Sequence, residues 1–337
     1  MNECGVDPGL DHMSAAKVFD EVHAKGGKIK EFISMCGGLP CPDDNTNPFG
    51  YKFSWSPRGV LLAAIREAFY IEDGEEKTMD KAPGNGIYDK FKLDATVPNV
   101  GIPLEKAAWP AAFECHPNGN STKFKAIYGL ADCDTLIRGT YRNVGWCETM
   151  RSIKQLGLLD ETAVDFGDKS YAAVVAELCG CDAATVKDGA AKKLDIDAGH
   201  AIIGRLEWLG LFGDAKVGAQ PSKLDAVCAL FQNNPKFWYA PGERDMIAMH
   251  HTFKVENADG TKETITSTMV DYGIKNGDTS MARTVTIPVA IAINKILTGE
   301  ITNTGVCRPT TKDLYAPILA EMEAIGCKFT EKTVSGW

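Results

Sequence analysis

Three stretches of the chain place polar and aromatic side chains in loops rich in glycine and proline, where the backbone can approach a ligand closely. They cover residues 6–12, 36–56 and 136–143. The groups they offer are the carboxylate of Asp7, the indole of Trp55 and guanidinium groups in the third stretch, a set suited to binding a small polar molecule. Each group also has a plain structural interpretation, as a turn residue, a core aromatic or a solvated basic face.

Other kinds of chemistry find less support in the sequence. A dinucleotide fingerprint requires Gly-x-Gly-x-x-Gly between a strand and a helix, and neither this run nor a P-loop occurs. Cys179 and Cys181 are separated by one residue and have no matching second pair, and His250 adjoins His251, so the spacing of metal sites is absent. We therefore predict no metal site and interpret the cysteines as buried or half-buried thiols.

Composition narrows the classes of partner. The 337 residues carry a formal charge of −9 and are 44% hydrophobic, which predicts a globular protein without the basic patch that nucleic acid requires. No run of about 18 apolar residues is evident, so we expect no membrane span. An odd number of cysteines, eleven, in a chain of this length favours a reducing, cytoplasmic compartment over a disulfide-bonded secreted protein.

The patterning predicts alternating elements in the first half of the chain. A helix over 13–26 ends at a glycine pair, and a strand over 28–35 follows it. Ser56 and Pro57 begin a second helix that we expect to reach Ile71. Residues 75–104 show no sustained period and are interpreted as an irregular insertion.

The second half is predicted to be helical first and mixed afterwards. The composition of 147–235 indicates a helical subdomain. Alternation on both sides of residues 257–260 predicts a β-hairpin. Pro288 suits the first turn of a helix that ends near Gly299, and a last helix over 314–325 precedes a short strand. Together these elements predict an α/β (α+β) fold with a mixed sheet.

The three stretches, taken with three other motifs, resemble the saccharopine reductase family of saccharopine dehydrogenases, which form or consume L-glutamate. The resemblance covers nearly the whole chain. The motifs that carry it are Gly5-Val6-Asp7-Pro8-Gly9-Leu10-Asp11-His12, Cys36-Gly37-Gly38-Leu39-Pro40, Gly50-Tyr51-Lys52-Phe53-Ser54-Trp55-Ser56, Arg138-Gly139-Thr140-Tyr141-Arg142, Gly242-Glu243-Arg244-Asp245, Met281-Ala282-Arg283-Thr284-Val285 and Gly305-Val306.

The resemblance implies a domain plan. Residues 1–146 and 236–300 would form a mixed α/β substrate-binding domain, with 1–12 as the end of a nucleotide-binding domain. Residues 147–235 would be an all-helical insertion, and 301–337 would return to the nucleotide domain, so that remnants of a Rossmann domain lie at both termini. Because Val6-Asp7-Pro8 belongs to the end of that domain in the family, we expect its glycine fingerprint to lie upstream of Met1.

The resemblance also implies a reaction in lysine metabolism. A hydride would pass between NADP or NAD and the carbon of a secondary amine or imine that joins L-glutamate to 2-aminoadipate 6-semialdehyde. Asp7 would be the catalytic residue and would contact the substrate amine. The remaining substrate-binding residues would be Cys36, Thr140, Tyr141 and Arg142. The residues bordering the cofactor would be Val6, Asp7, Pro8 and Trp55.

One departure from the family pattern affects the substrate. The family usually carries a proline-asparagine-arginine-aspartate run, whereas this chain has Gly119 where a carboxylate-binding arginine is expected. This substitution keeps open a dehydrogenase of another amine-linked diacid, such as a carboxynorspermidine-like compound. A non-catalytic substrate-binding fragment is the third hypothesis. The oligomeric state that we consider for this protein is a homodimer.

Overall fold

A computed structural model describes residues 1–79, 97–98 and 112–337, and it contains one mixed sheet of nine strands within them. The strands are β1 (Lys28–Pro40), β2 (Ala68–Glu72), β3 (Glu75–Met79), β4 (Val97–Pro98), β5 (Ala112–Pro117), β6 (Thr135–Asn143), β7 (Asp245–Glu256), β8 (Lys262–Tyr272) and β9 (Thr330–Ser335). Their order is β3-β2-β6-β1-β7-β8-β9, with β5 paired to β6 and β4 paired to β5. Only β1 and β6 pair in parallel among these strands.

Ten α-helices accompany the sheet in the described part of the chain. They are α1 (Leu10–Ala24), α2 (Pro57–Ala63), α3 (Phe124–Ile127), α4 (Trp146–Gln155), α5 (Tyr171–Cys179), α6 (Val186–Leu194), α7 (Ala201–Leu209), α8 (Lys223–Asn233), α9 (Ser280–Leu297) and α10 (Lys312–Ala324). This mixture of helices with one mixed sheet confirms the predicted α/β (α+β) class.

The central strand β1 is covered on both faces because its side chains alternate. Phe32 and Cys36 lie on one face, in clusters that include residues of α1. Met35 and Leu39 lie on the other face, in the core that the sheet shares with α4 to α8. Both faces are therefore apolar, which explains why the sequence of β1 shows only loose alternation.

The parallel pairing of β1 and β6 brings two of the sequence motifs together. Ser34 lies opposite Arg138 and Cys36 lies opposite Thr140 in the register. Gly37 allows this approach, because a Cβ atom there would lie 2.7 Å from the Cβ of Tyr141. The glycine in this motif thus has a packing reason.

Residues 147–235 hold the helices α4 to α8, with an aromatic core at their junction with the sheet. The rings of Phe231 and Phe237 have centroids 4.6 Å apart, and Phe49 lies 5.2 Å from Phe237. Ser170 and Ser222 cap α5 and α8, each accepting a hydrogen bond from a backbone N–H three residues on. The domain boundaries predicted at either end of this segment stay a prediction.

Two predicted element bounds in the first half are wrong. The helix that was expected to reach Ile71 ends at Ala63, and residues 68–72 form β2. Ile71 pairs with Leu136 of β6, and all of β2 pairs with β3, so sheet pairing outweighs the helical period. Residues 75–79, predicted as irregular, form β3, whereas residues 80–96 and 99–104 of that segment lie outside the described residues.

The start of α9 also differs from the prediction, which placed Pro288 in the first turn. The helix begins eight residues earlier, at Ser280. The carboxylate of Asp245 accepts hydrogen bonds from the backbone N–H groups of Ser280 (2.6 Å) and Met281 (2.8 Å). A carboxylate at this position satisfies the free N–H groups of a helix start and interacts favourably with the helix dipole.

The same helix bears on the expected absence of a membrane span. Within the described ranges, Ser280–Leu297 is the one helix that is long and apolar enough to cross a bilayer, with a mean hydropathy of 1.2 over 18 residues. Length and composition alone are weak evidence, since core helices pass the same test. About a third of this helix is buried, and it packs against β7 and α10.

Candidate active site

A cavity of about 500 Å³ opens over the carboxyl-terminal halves of β1 and β6. This volume is within the roughly 300–1,000 Å³ range of small-molecule sites. Six of the eight predicted site residues line it, namely Val6, Asp7, Cys36, Trp55, Thr140 and Arg142. Pro8 lines an adjoining pocket of about 220 Å³ together with Asp7.

Tyr141 is the predicted site residue that the structure places elsewhere. Its side chain is 2% exposed, and its ring lies 5.3 Å from that of Phe113 in the core. Thr140 and Arg142 flank it on β6, and strand alternation turns their side chains to the opposite face. In this structure only the backbone of Tyr141 is placed to serve its predicted role in holding substrate.

Asp7 is positioned by a tight turn before α1. The backbone N–H of Gly5 donates to the carbonyl of Pro8 (3.1 Å), and that of Leu10 donates to the carbonyl of Gly5 (2.9 Å). Gly9 is required in this turn, since a Cβ atom on it would lie 2.0 Å from the oxygen of Gly5. The turn thus fixes the Asp7 backbone at the mouth of the cavity.

A partly buried ion-pair network holds the Asp7 side chain. Nη2 of Arg138 donates to Oδ1 of Asp7 (2.7 Å) and to Oδ2 of Asp11 (2.5 Å). The guanidinium carbon of Arg138 lies 4.2 Å from the centroid of the Phe124 ring. Asp11 also accepts a hydrogen bond from the backbone N–H of Gly9 (2.6 Å), so one cation is shared between two carboxylates.

This sharing separates the pKa values of the two carboxyl groups. Burial and the neighbouring charge of Asp11 raise the pKa of Asp7 to about 7, although Arg138 acts in the opposite direction. Burial also disfavours the charged form of Asp11, but Arg138 and His12 outweigh that effect and lower its pKa. A pair of acids whose environments differ in this way is typical of acid-base sites, and Asp7 is the member that exchanges a proton near neutral pH.

Arg142 lies in the same cavity and is paired differently. It is 4% exposed, and its guanidinium carbon lies 5.2 Å from the ring of Tyr51 and 5.9 Å from that of Trp146. Nη1 donates to the carbonyl of Tyr141 (2.8 Å), while the buried Nε has no acceptor in the described part of the chain. No carboxylate of the described residues pairs with it, so its fork remains available for a carboxylate ligand.

His116 is kept neutral beside this arginine. Burial and the positive charge of Arg142 lower the pKa of His116 to about 3. Its Nδ1 lies 3.1 Å from the carbonyl oxygen of Pro117. A neutral imidazole here leaves Arg142 as a positive charge at this end of the cavity.

Trp55 presents a flat aromatic surface at the cavity mouth and is 45% exposed. Its ring lies against Gly59, where a Cβ atom would approach the indole to 2.7 Å. Ser56 caps α2 by accepting a hydrogen bond from the backbone N–H of Gly59 (3.3 Å), which fixes the loop. Such an exposed ring beside the Val6-Asp7-Pro8 backbone fits the face of a nicotinamide, whereas the chain has no glycine-rich loop to hold the cofactor phosphates.

Cys36 borders the cavity as a thiol. Burial and the negative charges of Asp7 and Asp11 raise the pKa of Cys36 well above its usual value. A thiol held protonated is a poor nucleophile. Cys36 is therefore better suited to line the cavity than to attack a substrate.

Sequence reasoning missed several residues of the site. Asp11 and Arg138 lay within quoted motifs without a role, and pairing between them needs the β-sheet register, which no local pattern gives. Met281, Ala282, Val285 and Thr286 line the apolar side of the cavity because α9 begins earlier than predicted. Arg66 also lines it. Across the described ranges, no group of three His, Cys, Asp or Glu residues is placed to hold a metal.

Comparison with known proteins places these features in a family. Residues 5–327 match the family model described as the saccharopine dehydrogenase C-terminal domain. The chain is 40% identical to the saccharopine dehydrogenase [NADP(+), L-glutamate-forming] of Saccharomyces cerevisiae, over 99% of this chain and 74% of the relative. It is 34% identical to the mitochondrial alpha-aminoadipic semialdehyde synthase of Bos taurus, over 99% of this chain and 35% of that protein.

A solved structure agrees with these sequence matches. The apo L-glutamate-forming saccharopine dehydrogenase of Saccharomyces cerevisiae superposes with a TM-score of 0.84 at 38% identity, covering 98% of this chain and 73% of the other. The chain therefore belongs to the saccharopine dehydrogenase family.

Proposed function

We propose that this chain forms the substrate-binding part of an NADP-dependent saccharopine dehydrogenase of the L-glutamate-forming kind, an enzyme of lysine metabolism. The relatives that carry this activity in their names match the chain over 99% of its length. The observation that carries the proposal is the convergence of Asp7, Trp55 and Arg142 on one cavity. These residues offer a proton acceptor, an aromatic face and a carboxylate anchor.

Each of these groups would meet a different requirement of the reaction. The bound nicotinamide supplies the chemistry of accepting a hydride from the carbon next to the secondary amine. Asp7 accepts the amine proton as the carbon–nitrogen bond becomes an imine, which water then hydrolyses to L-glutamate and the semialdehyde. A pKa of about 7 keeps much of Asp7 ionised at neutral pH and still basic enough to take that proton.

The protein's remaining task is to orient a substrate with three carboxylates. Arg142 binds one of them through its guanidinium fork, and the Thr140 hydroxyl borders the same cavity. Binding holds the substrate amine beside Asp7 and the carbon that loses the hydride beside the cofactor. This alignment lowers the entropic cost of reaching the transition state. No covalent intermediate with Cys36 is required.

Two measurements test the proposal. The first is titration calorimetry of saccharopine against the purified chain, and the second is saccharopine-dependent reduction of NADP⁺, followed by absorbance, by a version of the chain joined to a nucleotide-binding domain. We expect saccharopine to bind more tightly than L-glutamate alone. Failure of saccharopine to bind under conditions where the chain is folded would contradict the assignment.

The glycine at position 119 favours a second candidate, a dehydrogenase of another amine-linked diacid. Gly119 lies in the pocket of about 220 Å³ beside Asn118, and no neighbour lies within 4 Å of where its Cβ would be. A panel of saccharopine, other amine-linked diacids and carboxynorspermidine, which carries one carboxylate, separates the two candidates by relative affinity. Binding of saccharopine without turnover, in the version joined to a nucleotide-binding domain, would support the third hypothesis, a non-catalytic substrate-binding chain.

The cellular setting is a further part of the proposal. All eleven cysteines are free, which is typical of a reducing compartment, and this supports a cytoplasmic location. Exposed apolar side chains on α9, including Val289 and Ile293, offer a surface for a homodimer. Imaging of a fluorescent fusion tests the location, and sedimentation over a range of concentrations tests the dimer.

A further inference from the structure

Arg66 differs from the other arginines of the described residues, because it has no hydrogen bond, ion pair or ring contact with any of them. It lies in the turn between α2 and β2, and its side chain is exposed. Its neighbours Arg58 and Arg142 illustrate the contrast. Arg58 pairs with two carboxylates, and Arg142 lies against two aromatic rings.

The backbone of the turn that contains Arg66 is held by hydrogen bonds, although the Arg66 side chain is not. The backbone N–H of Ala64 donates to the carbonyl of Leu61 (3.0 Å), and that of Ile65 donates to the carbonyl of Leu62 (3.1 Å). Ala64 is buried, and Ile65 packs against the main core. The position of the Cα atom of Arg66 is thus fixed by its neighbours.

Arg66 lies on the ridge between two concave surfaces. One is the cavity that it shares with Arg142, Trp55 and Asp7. The other is a groove of about 730 Å³ that contains Asp160 and Glu161. Those two carboxylates already pair with Lys223 and Arg58, so the groove offers Arg66 no unpaired one among them.

The cavity, by contrast, is suited to a ligand with more than one carboxylate. Arg142 is a buried residue of its lining, and Arg66 is an exposed one. Arg138 is committed to Asp7 and Asp11. Lys123, another exposed cation near the site, borders only the smaller pocket and lies over the Phe124 ring.

We propose that Arg66 is a second carboxylate anchor, which binds the end of an amine-linked diacid opposite to the end held by Arg142. This inference rests on the proposed function and adds a specificity-determining residue to it.

The test compares saccharopine binding to the wild-type chain and to Arg66→Gln by titration calorimetry. We expect affinity to fall about tenfold in Arg66→Gln, as for loss of one charge-assisted pair at a partly solvated site. Arg66→Lys, which keeps the charge but loses the fork, should show a smaller loss. Glu67→Gln is the matched control, since Glu67 is the exposed neighbour and does not border the cavity, and it should bind as the wild type does.

Substrate analogues identify the carboxylate involved. Saccharopine with one terminal carboxylate replaced by a carboxamide should lose its sensitivity to Arg66→Gln when the replaced group is the one that Arg66 binds. Equal sensitivity for every analogue would indicate a general electrostatic effect and would overturn the assignment. Thermal unfolding of each variant checks that the chain remains folded.

The outcomes separate this inference from the function on which it rests. Equal saccharopine affinity for wild type and Arg66→Gln overturns the role of Arg66 and leaves the proposed function intact. When the wild type binds only another diacid of the panel, the proposed substrate is wrong, and the same variants with that diacid then decide the role of Arg66. Absence of binding to any diacid overturns both.

Discussion

Arg138 and Arg142 lie four residues apart on β6, and the protein uses them in opposite ways. Arg138 shares its Nη2 between Asp7 and Asp11, whereas Arg142 has no carboxylate partner in the described residues. Both keep a buried Nε without an acceptor there. The difference shows that the first arginine holds the protein's own acids in place, while the second keeps its charge for a ligand.

The largest expected effect comes from removing the internally paired arginine. Arg138→Met should lower the free energy of unfolding by about 3–5 kcal/mol, because it leaves the buried carboxylate of Asp11 and the half-buried carboxylate of Asp7 without their cation. Denaturation in urea measures the loss. The double variant with Asp11→Asn should recover part of it, and a loss unchanged by that second substitution would contradict direct coupling between the pair.

Removing the unpaired arginine should affect binding more than folding. Arg142→Met keeps much of the contact with the rings of Tyr51 and Trp146, so we expect a stability loss of about 1 kcal/mol. Saccharopine affinity should fall roughly 30-fold, since a buried charge-assisted contact is lost. Calorimetry and denaturation on the same sample measure both effects. A stability loss as large as that of Arg138→Met would remove the distinction between the two arginines.

The contrast between the arginines also shows how far sequence reasoning reaches. The motif that contains both residues was recognised, and the fold class and most helices followed from periodicity and caps. Nothing in the sequence distinguishes the role of Arg138 from that of Arg142. Only the packing of α1 onto the sheet brings Asp7 and Asp11 to the first of them, and that contact spans more than 120 residues of sequence.

Local patterns failed for the same physical reason in β2 and α9. Residues 68–71 fit a helix in isolation, but strand partners on both sides make them a strand. The start of α9 is fixed by Asp245, which lies 35 residues away in sequence from Ser280. Arg66 carried no signal in the sequence, because its role depends on which cavity its turn borders.

The next expected effect concerns the acid that Arg138 holds. With a pKa of about 7 in the folded state and an ordinary value when unfolded, Asp7 binds more protons in the native protein between about pH 4 and pH 7. Its contribution to stability is therefore fully present below the unfolded pKa and is lost as the pH rises through the folded pKa.

Asp7→Asn removes this pH dependence. Relative to wild type, the free energy of unfolding of Asp7→Asn should rise by about 2.5 kcal/mol between pH 5 and pH 8, because ionisation of Asp7 favours the unfolded state of the wild type over that range and asparagine does not ionise. Urea denaturation at both pH values measures the difference. Turnover by the version joined to a nucleotide-binding domain should also decline below about pH 7 as Asp7 becomes protonated. A constant difference in stability at the two pH values would indicate that Asp7 keeps an ordinary pKa.

The smallest expected effect on saccharopine affinity concerns Gly119 and its relation to Arg66. Gly119 has a φ of +61°, so any side chain there carries a backbone cost of about 1 kcal/mol, which Gly119→Ala measures without adding a charge. Gly119→Arg should show the same cost and should change saccharopine affinity by less than about threefold, because Arg66 already supplies the second anchor. In the Arg66→Gln background the same substitution should restore affinity. If Gly119→Arg strengthens binding equally in both backgrounds, Arg66 and the arginine introduced at position 119 bind separate carboxylates. Position 119 would then be a third site, after Arg142 and Arg66, at which an arginine binds the ligand and not a carboxylate of the protein.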